Sequence, residues 1–388
     1  MKKNLLNGIL GISLAAVLLA GCGAPKSSGD DVPATGAVEA PAEEAPAPEE
    51  APAAEEAAEA AEAAPAEAAA DASAQTFKVG IVQFMDHASL NQIETNIEKE
   101  LDAKAAELGV VFNYADYTFN GEGDPTALNQ IAAQLLDDQV DAIIAIATPS
   151  AQIMQAACEE SGTKIIFSAV SDPVGAGLAA SMEAPGANIT GASDALNTDA
   201  VMNLILANDP EIAKVGLLYS KSEDASTQAI ADAKAFLDEK GIAWVEKTGT
   251  TIDEVSQAAD ALIAEQVGAV FTPTDNTIMN AELAIYEKFI EAGIPHYAGA
   301  DSFALNGGFL GFGINYADLG TATADIAADI LAGGRDTASY PVVLLDNGIA
   351  TINTETAEAL GIDLAAAKEA FAPYCSEIIE ITTAAEFQ

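Results

Sequence analysis

From Phe77 onward, apolar runs of strand length alternate with amphipathic stretches of helix length, almost without exception. That alternation limits the fold more than any other property, because strands that take turns with helices build parallel sheets covered on both faces. The strand-like runs are residues 77–84, 110–117, 140–147, 164–170 and 188–192. The stretch 93–108 between the first two places Ile93, Ile97, Leu101, Ala105 and Leu108 on one helical face. After Asp194 the cycle restarts, with strand-like residues 215–219, 243–246, 267–271 and 295–300 and helices starting near Thr227, Thr251 and Asn280. A stretch of roughly 310 residues suits two lobes, so the expected fold is α/β with two doubly wound parallel-sheet lobes.

Residues 1–22 read as a targeting segment. Lys2 and Lys3 precede an apolar run from Leu5 to Ala20, of signal-peptide length and too short to argue for a permanent membrane span. The run ends Leu19-Ala20-Gly21-Cys22, which resembles the lipobox of bacterial lipoproteins, where cleavage leaves the cysteine as a lipidated first residue. Small residues before Cys22 and a polar tract after it favour this over an ordinary signal peptide. Residues 23–75 are rich in Ala, Pro and Glu with almost no large apolar side chain, so they cannot bury a core. They read as a disordered tether stiffened by prolines and extended by glutamate repulsion.

The formal net charge of −45 makes nucleic acid and anionic lipid surfaces poor partners, since both need basic patches. Beyond Cys22, only Cys158 and Cys375 remain. Cys158 falls on a helix as a small core residue, and whether the two pair is left open by sequence alone. There is no Gly-x-Ser-x-Gly elbow, His-Glu-x-x-His pair or Walker loop. The two histidines, His87 and His296, lack metal-ligand spacing, and His87 reads as a rim residue. A Ser/His/Asp arrangement needs no proximity in sequence, so it stays open as the enzyme alternative. The reading is a non-enzyme with no metal or cofactor.

Polar residues cluster instead at the carboxyl ends of the strand-like runs, where open α/β sheets bind ligands. The run 267–271 stops at Thr272-Pro273-Thr274-Asp275-Asn276 before a helical pattern, and Thr148-Pro149-Ser150 repeats the arrangement earlier. Gln83 and Phe84, Ser168, Ser171 and Asp172, Tyr219, Ser220, Glu223 and Ser226, and Asp301 and Ser302 occupy matching places. Taken singly, each is also a good cap or turn former, and for Thr148, Ser226 and Thr277 the two readings are balanced. Asp275 leans towards function, because Thr, Asp and Asn on one turn exceed what a cap needs. Helix N-termini facing a cleft favour a carboxylate, and a buried Asp or Glu opposite favours an ammonium group, so a zwitterion fits both. Phe84 and Tyr219 are candidates for stacking on a flat ligand, while Phe271 is expected in the core.

The runs Val79-Gly80-Ile81-Val82-Gln83 with His87-Ala88-Ser89-Leu90, Ala147-Thr148-Pro149-Ser150, Ser171-Asp172-Pro173-Val174-Gly175-Ala176-Gly177-Leu178, Pro273-Thr274-Asp275-Asn276 and Tyr316-Ala317-Asp318-Leu319-Gly320 resemble one known family. It is the periplasmic-binding-protein-like family of ABC transporter substrate-binding lipoproteins that includes tryptophan/tyrosine-binding members. The similarity runs from Phe77 to about Leu364, with Ala225 after Asp224 standing where the family's Glu-x-x-Ser turn is expected to carry Asn. The resemblance implies a type I two-lobed binding protein with a first lobe of residues 76–194 plus 313–335 and a second of 195–312 plus 336–388. It implies a ligand in the cleft, an aromatic amino acid first, with another amino acid, a nucleoside or a sugar as alternatives. The candidate contacts are Gln83, Phe84, Thr148, Ser150, Ser168, Asp172, Tyr219, Glu223, Ser226, Thr274, Asp275, Asn276 and Asp301. The partners implied are a membrane permease with a separate ATPase, and a membrane reached through lipid on Cys22. The competing role is a surface lipoprotein that senses or adheres without transporting. Replacing Cys22 with alanine is expected to move the protein from the membrane fraction to the soluble one; retention in washed membranes would overturn the lipid anchor.

Overall fold

The computed structural model describes residues 74–387. The expectations for the signal segment, Cys22 and nearly all of the tether lie outside these residues. No helix among them is long and apolar enough to cross a membrane.

The first sheet begins with β1 (Thr76–Gln83), followed by α1 (Ala88–Leu108), β2 (Val111–Asn113), β3 (Thr118–Asn120), α2 (Pro125–Asp137), β4 (Ala142–Ile146), α3 (Thr148–Cys158), β5 (Lys164–Ser168) and β6 (Ile189–Ser193). The chain then crosses into α4 (Thr198–Asn208), β7 (Lys214–Tyr219), α5 (Ala225–Lys240), β8 (Ala243–Thr248), α6 (Ile252–Ala264), β9 (Ala269–Thr272), α7 (Asn276–Glu291), β10 (His296–Ala298), α8 (Asp301–Leu305) and β11 (Leu310–Gly313). It returns through α9 (Tyr316–Leu331) and β12 (Val343–Leu344), then ends in the second sheet with β13 (Ile349–Asn353), α10 (Thr354–Ala359), α11 (Leu364–Phe371) and β14 (Glu377–Ile381).

Two sheets result. The first runs β12-β6-β5-β4-β1-β2, with β3 also on β1, and the second runs β14-β13-β11-β10-β9-β7-β8. Every pairing is parallel except β11 with β13. The α/β alternation therefore has its expected outcome of two lobes. Strand alternation divides the second lobe's core between its two faces. Val270 packs with Val255, Leu262 and Ile285 of α6 and α7, while its neighbour Phe271 joins Val201, Ile205 and Leu237 of α4 and α5. Phe271 is fully buried, as a core residue should be.

Three details depart from the pattern read in the sequence. The run 110–117 is not one strand. A turn closed by Tyr117 N–H donating to Tyr114 O, with Asn113 bonded to Asp116, splits it from β3. The Gly-rich β11 is a strand that the alternation did not mark, next to the crossing that the resemblance implied. A Cβ at Gly311 would sit 2.2 Å from Ala300 O, so the close approach of α8 explains the glycine that hides the strand. Finally, the expectation that all of residues 336–388 belong to the second lobe is corrected. Val343 and Leu344 pair with Ala192 and Ser193 of the first sheet, so the last crossing follows Leu344.

Helices α1 and α9 cover one face of the first sheet and touch closely. Ile93, Ile97 and Leu101 on the inner face of α1 are fully buried, each contributing about 1.5–3 kcal/mol of transfer free energy. Gly320 permits the contact, since a Cβ there would lie 2.5 Å from Ile93 O. Gly320→Val is expected to lower stability by about 1–3 kcal/mol through overpacking, read as a lower urea midpoint. An unchanged midpoint would show that the two helices separate freely.

Candidate interlobe binding site

Six helices start at the same place. The N-terminal ends of α1, α3 and α9 from the first lobe, and of α5, α7 and α8 from the second, surround a narrow cavity between the lobes. His87, Ser89, Leu90, Ala147, Thr148, Ala169, Ser171, Asp194 and Tyr316 line one side. Ala225, Thr274, Asp275, Asn276, Met279, Ala300, Ser302 and Phe303 line the other. No lysine or arginine is among these residues, so the positive potential comes from helix N-termini alone.

The backbone is strained at this wall. Ala147, just before α3, has φ of 79°, and Ala169, just after β5, has φ of 54°. Alanine in this region costs of order 1–3 kcal/mol, and such costs concentrate at functional sites.

Asp194 is the carboxylate facing the cavity at the first crossing, and it is 5% exposed. Ser171 donates to its Oδ1 at 2.9 Å and the Tyr316 hydroxyl to its Oδ2 at 3.3 Å. Burial raises its pKa, and these donors oppose the rise. Its partners are neutral, so an arriving cation would be its only charge partner among the cavity-lining residues.

The second lobe's wall hangs on Asp275. Its Oδ1 caps α7 by accepting from Ile278 N–H at 3.0 Å. Its Oδ2 accepts from Ser220 N–H at 2.7 Å and from the Ser226 hydroxyl at 2.6 Å. One carboxylate thus joins the β7–α5 loop to the β9–α7 loop. Beside it Glu223 accepts from Asn276 Nδ2 at 3.1 Å and Thr277 Oγ1 at 3.2 Å. Burial and the neighbouring Asp275 charge push the Glu223 carboxyl well above its ordinary range.

Five hydrogen bonds cross directly between the lobes, one of them from Asn91 Nδ2 to Glu386 near the end of the chain at 3.4 Å. His87 Nε2 lies 3.1 Å from Asn276 Oδ1, Ser89 Oγ donates to Asp301 at 3.1 Å, Ser171 and Thr274 hydroxyls are 2.7 Å apart, and Gln152 donates to Asp224 at 2.8 Å. The lobes are therefore closed. Burial raises the Asp301 pKa to about 7.

The family of ABC transporter substrate binding proteins matches residues 78–372. This chain belongs to that family. A tyrosine-binding protein of Clostridioides difficile (strain R20291) is 32% identical over 282 residues, 73% of this chain and 80% of that protein. The ABC domain in complex with L-Trp from Streptococcus pneumonia is 28% identical, with a TM-score of 0.71 over 79% of this chain and 100% of that one. The ligand-free, open structure of a substrate binding protein with adhesive properties from Clostridium difficile is 29% identical, with a TM-score of 0.60 over 79% of this chain and 100% of that one. At nearly equal identity, this member of the family superposes better on the liganded relative than on the open one, in keeping with its closed lobes.

Of the residues expected at the site, Thr148, Ser171, Thr274, Asp275, Asn276 and Ser302 line the cavity. The others have nearer partners. Gln83 donates to Met85 O and Asn91, Ser150 to Val82 O, and Ser168 bonds Thr323. Phe84 is buried in the first core. Tyr219 turns to the edge strand, where its hydroxyl donates to Glu246 at 3.0 Å, instead of facing the cavity. Asp172 accepts from Gly175 N–H and borders a neighbouring outer cavity. Ser226 and Glu223 support Asp275 and Asn276 from behind, and Asp301 reaches Ser89. His296 is buried between Glu282 and Thr272, edge-on to Phe303, and does not reach the cavity. Sequence reading missed Asp194, Tyr316 and the two alanines, and put His87 only at the rim.

Asp275 is therefore both wall and post. Asp275→Ala removes a cap and strands two buried donors, an expected loss of about 2–4 kcal/mol of stability by urea unfolding. Asp275→Asn, which keeps an acceptor, should lose less. A neutral alanine variant would return Asp275 to ligand contact alone.

Proposed function

We propose that this chain is the extracytoplasmic solute-binding lipoprotein of an ABC importer, and that it closes on an aromatic amino acid. The observation that carries the reading is the pairing, around one cavity, of the buried Asp194 carboxylate, whose partners are all neutral, with the start of α3, which no acidic side chain caps. An α-ammonium group would sit at Asp194. An α-carboxylate would take the N–H groups at the start of α3 with the Thr148 hydroxyl. Leu90, Met279 and Phe303 offer an apolar and polarisable wall for a ring. The ligands named for the C. difficile and S. pneumonia relatives, tyrosine and L-Trp, support an aromatic side chain.

The closed lobes would then present a joint surface to a membrane permease, with a separate ATPase supplying energy. Lipid on Cys22 would hold the protein at the outer face of the cell membrane, and the acidic tether would set its reach. A second reading, adhesion, is favoured by the adhesive properties of the C. difficile relative. Loss of amino-acid uptake with intact surface attachment, in a strain lacking the protein, would favour import over adhesion.

L-Tyrosine or L-tryptophan is expected to raise the melting temperature in a concentration-dependent way, by about 2.7 kcal/mol of added stability at a hundredfold excess over Kd. Asp194→Asn should weaken binding at least about tenfold, because a charge-assisted hydrogen bond is lost. A panel in which nucleosides or sugars shift the melting and amino acids do not would overturn the ligand class.

A further inference from the structure

Two residues lining the cavity each carry a buried polar atom with no hydrogen-bond partner among the described residues: Thr148 its Oγ1 and His87 its Nδ1. They are not equivalent. A hydroxyl turns to donate or accept, whereas a neutral imidazole has one nitrogen of each kind. Which nitrogen of His87 is which follows from its neighbours. Asn276 donates its Nδ2 hydrogen to Glu223 Oε2, and Thr277 pins the other Glu223 oxygen. The Asn276 amide is thereby turned so that Oδ1 faces His87 Nε2. A carbonyl oxygen only accepts, so with the amide in this orientation Nε2 carries the hydrogen and Nδ1 is a bare lone pair. Burial outweighs both the Asn276 bond and the Asp86 charge and holds the His87 pKa down to about 4, so the ring stays neutral at neutral pH.

We propose that His87 Nδ1 is a specificity-determining acceptor for a hydrogen on the ligand's ring, so that the site selects the tyrosine phenol or the tryptophan indole over phenylalanine. This rests on the aromatic amino-acid reading above and sharpens it. The ligand's ammonium group gains more from the Asp194 carboxylate than from a neutral imidazole, which leaves an uncharged donor for His87. Tyrosine and tryptophan, the ligands named for two relatives, share a ring donor that phenylalanine lacks. Discrimination comes from the penalty on the wrong ligand: a ring edge without a hydrogen bond leaves the buried lone pair desolvated and unpaired.

The test is calorimetric titration of the full chain with L-tyrosine, L-tryptophan and L-phenylalanine. The unaltered protein is expected to bind the first two at least about tenfold more tightly than the third. In His87→Leu the preference should fall to about one, with phenylalanine bound as well as before or better. His87→Asn, whose Oδ1 stands near the place of Nδ1, should recover part of it, and the ligand-free melting temperature of each variant reports folding. Equal affinity of the unaltered protein for all three overturns the proposal. So does His87→Leu if it weakens all three ligands by one common factor, the mark of an ammonium contact or a structural role. If none of the three binds, the aromatic amino-acid reading itself falls; if they bind with a preference that His87→Leu leaves unchanged, only the role of His87 falls.

Discussion

The cleft depends on buried carboxylates satisfied by hydroxyls and N–H groups instead of cations. Asp194 and Asp275 each accept two or three neutral donors, and Glu223 adds two more. Burying an anion in this way is costly, and the upward pKa shifts at all three express that cost. At Asp194, the donors hold the geometry without supplying a countercharge. Where a salt bridge would have neutralised the site, this arrangement leaves it waiting for a positive group from outside.

The same carboxylates organise closure. Ser171 bonds Asp194 within its own lobe and Thr274 in the other, so the acid site and the contact between lobes share one hydroxyl. Asn276 likewise connects Glu223 to His87. Each direct bond between lobes contributes only about 0.5–1.5 kcal/mol, so five of them bias an opening equilibrium without locking it. A ligand that touches both walls shifts that equilibrium by its differential affinity for the closed state.

The layered fold was legible because buried parallel strands must be apolar runs, and helices between them must be amphipathic. What escaped notice were strands with unusual requirements. β11 needs glycine for a close neighbour, and β14, on the second sheet's open edge, is only partly buried and so carries little pattern. At the site, the turn residues Thr148 and Thr274 to Asn276 were legible because turn chemistry puts small polar groups at strand ends. Ser150, Ser168 and Ser226 have the same chemistry, yet their hydroxyls found a partner close by, and nothing local distinguishes the two fates. Asp194 and Tyr316 are 122 positions apart and meet only through the crossings. The left-handed alanines leave no trace in sequence at all, since glycine is the residue that announces such a backbone.

The end of the chain reaches back across the molecule. After β14, Ala384 bonds Leu305 and Asn306 of the second lobe, while Asn91 of α1 in the first lobe donates to Glu386 at 3.4 Å. A segment fastened to one lobe and touching the other changes its surroundings whenever the lobes part. A fluorophore attached at Glu386 would therefore make the protein an optical sensor for its own ligand, with the dye well outside the cavity it reports on.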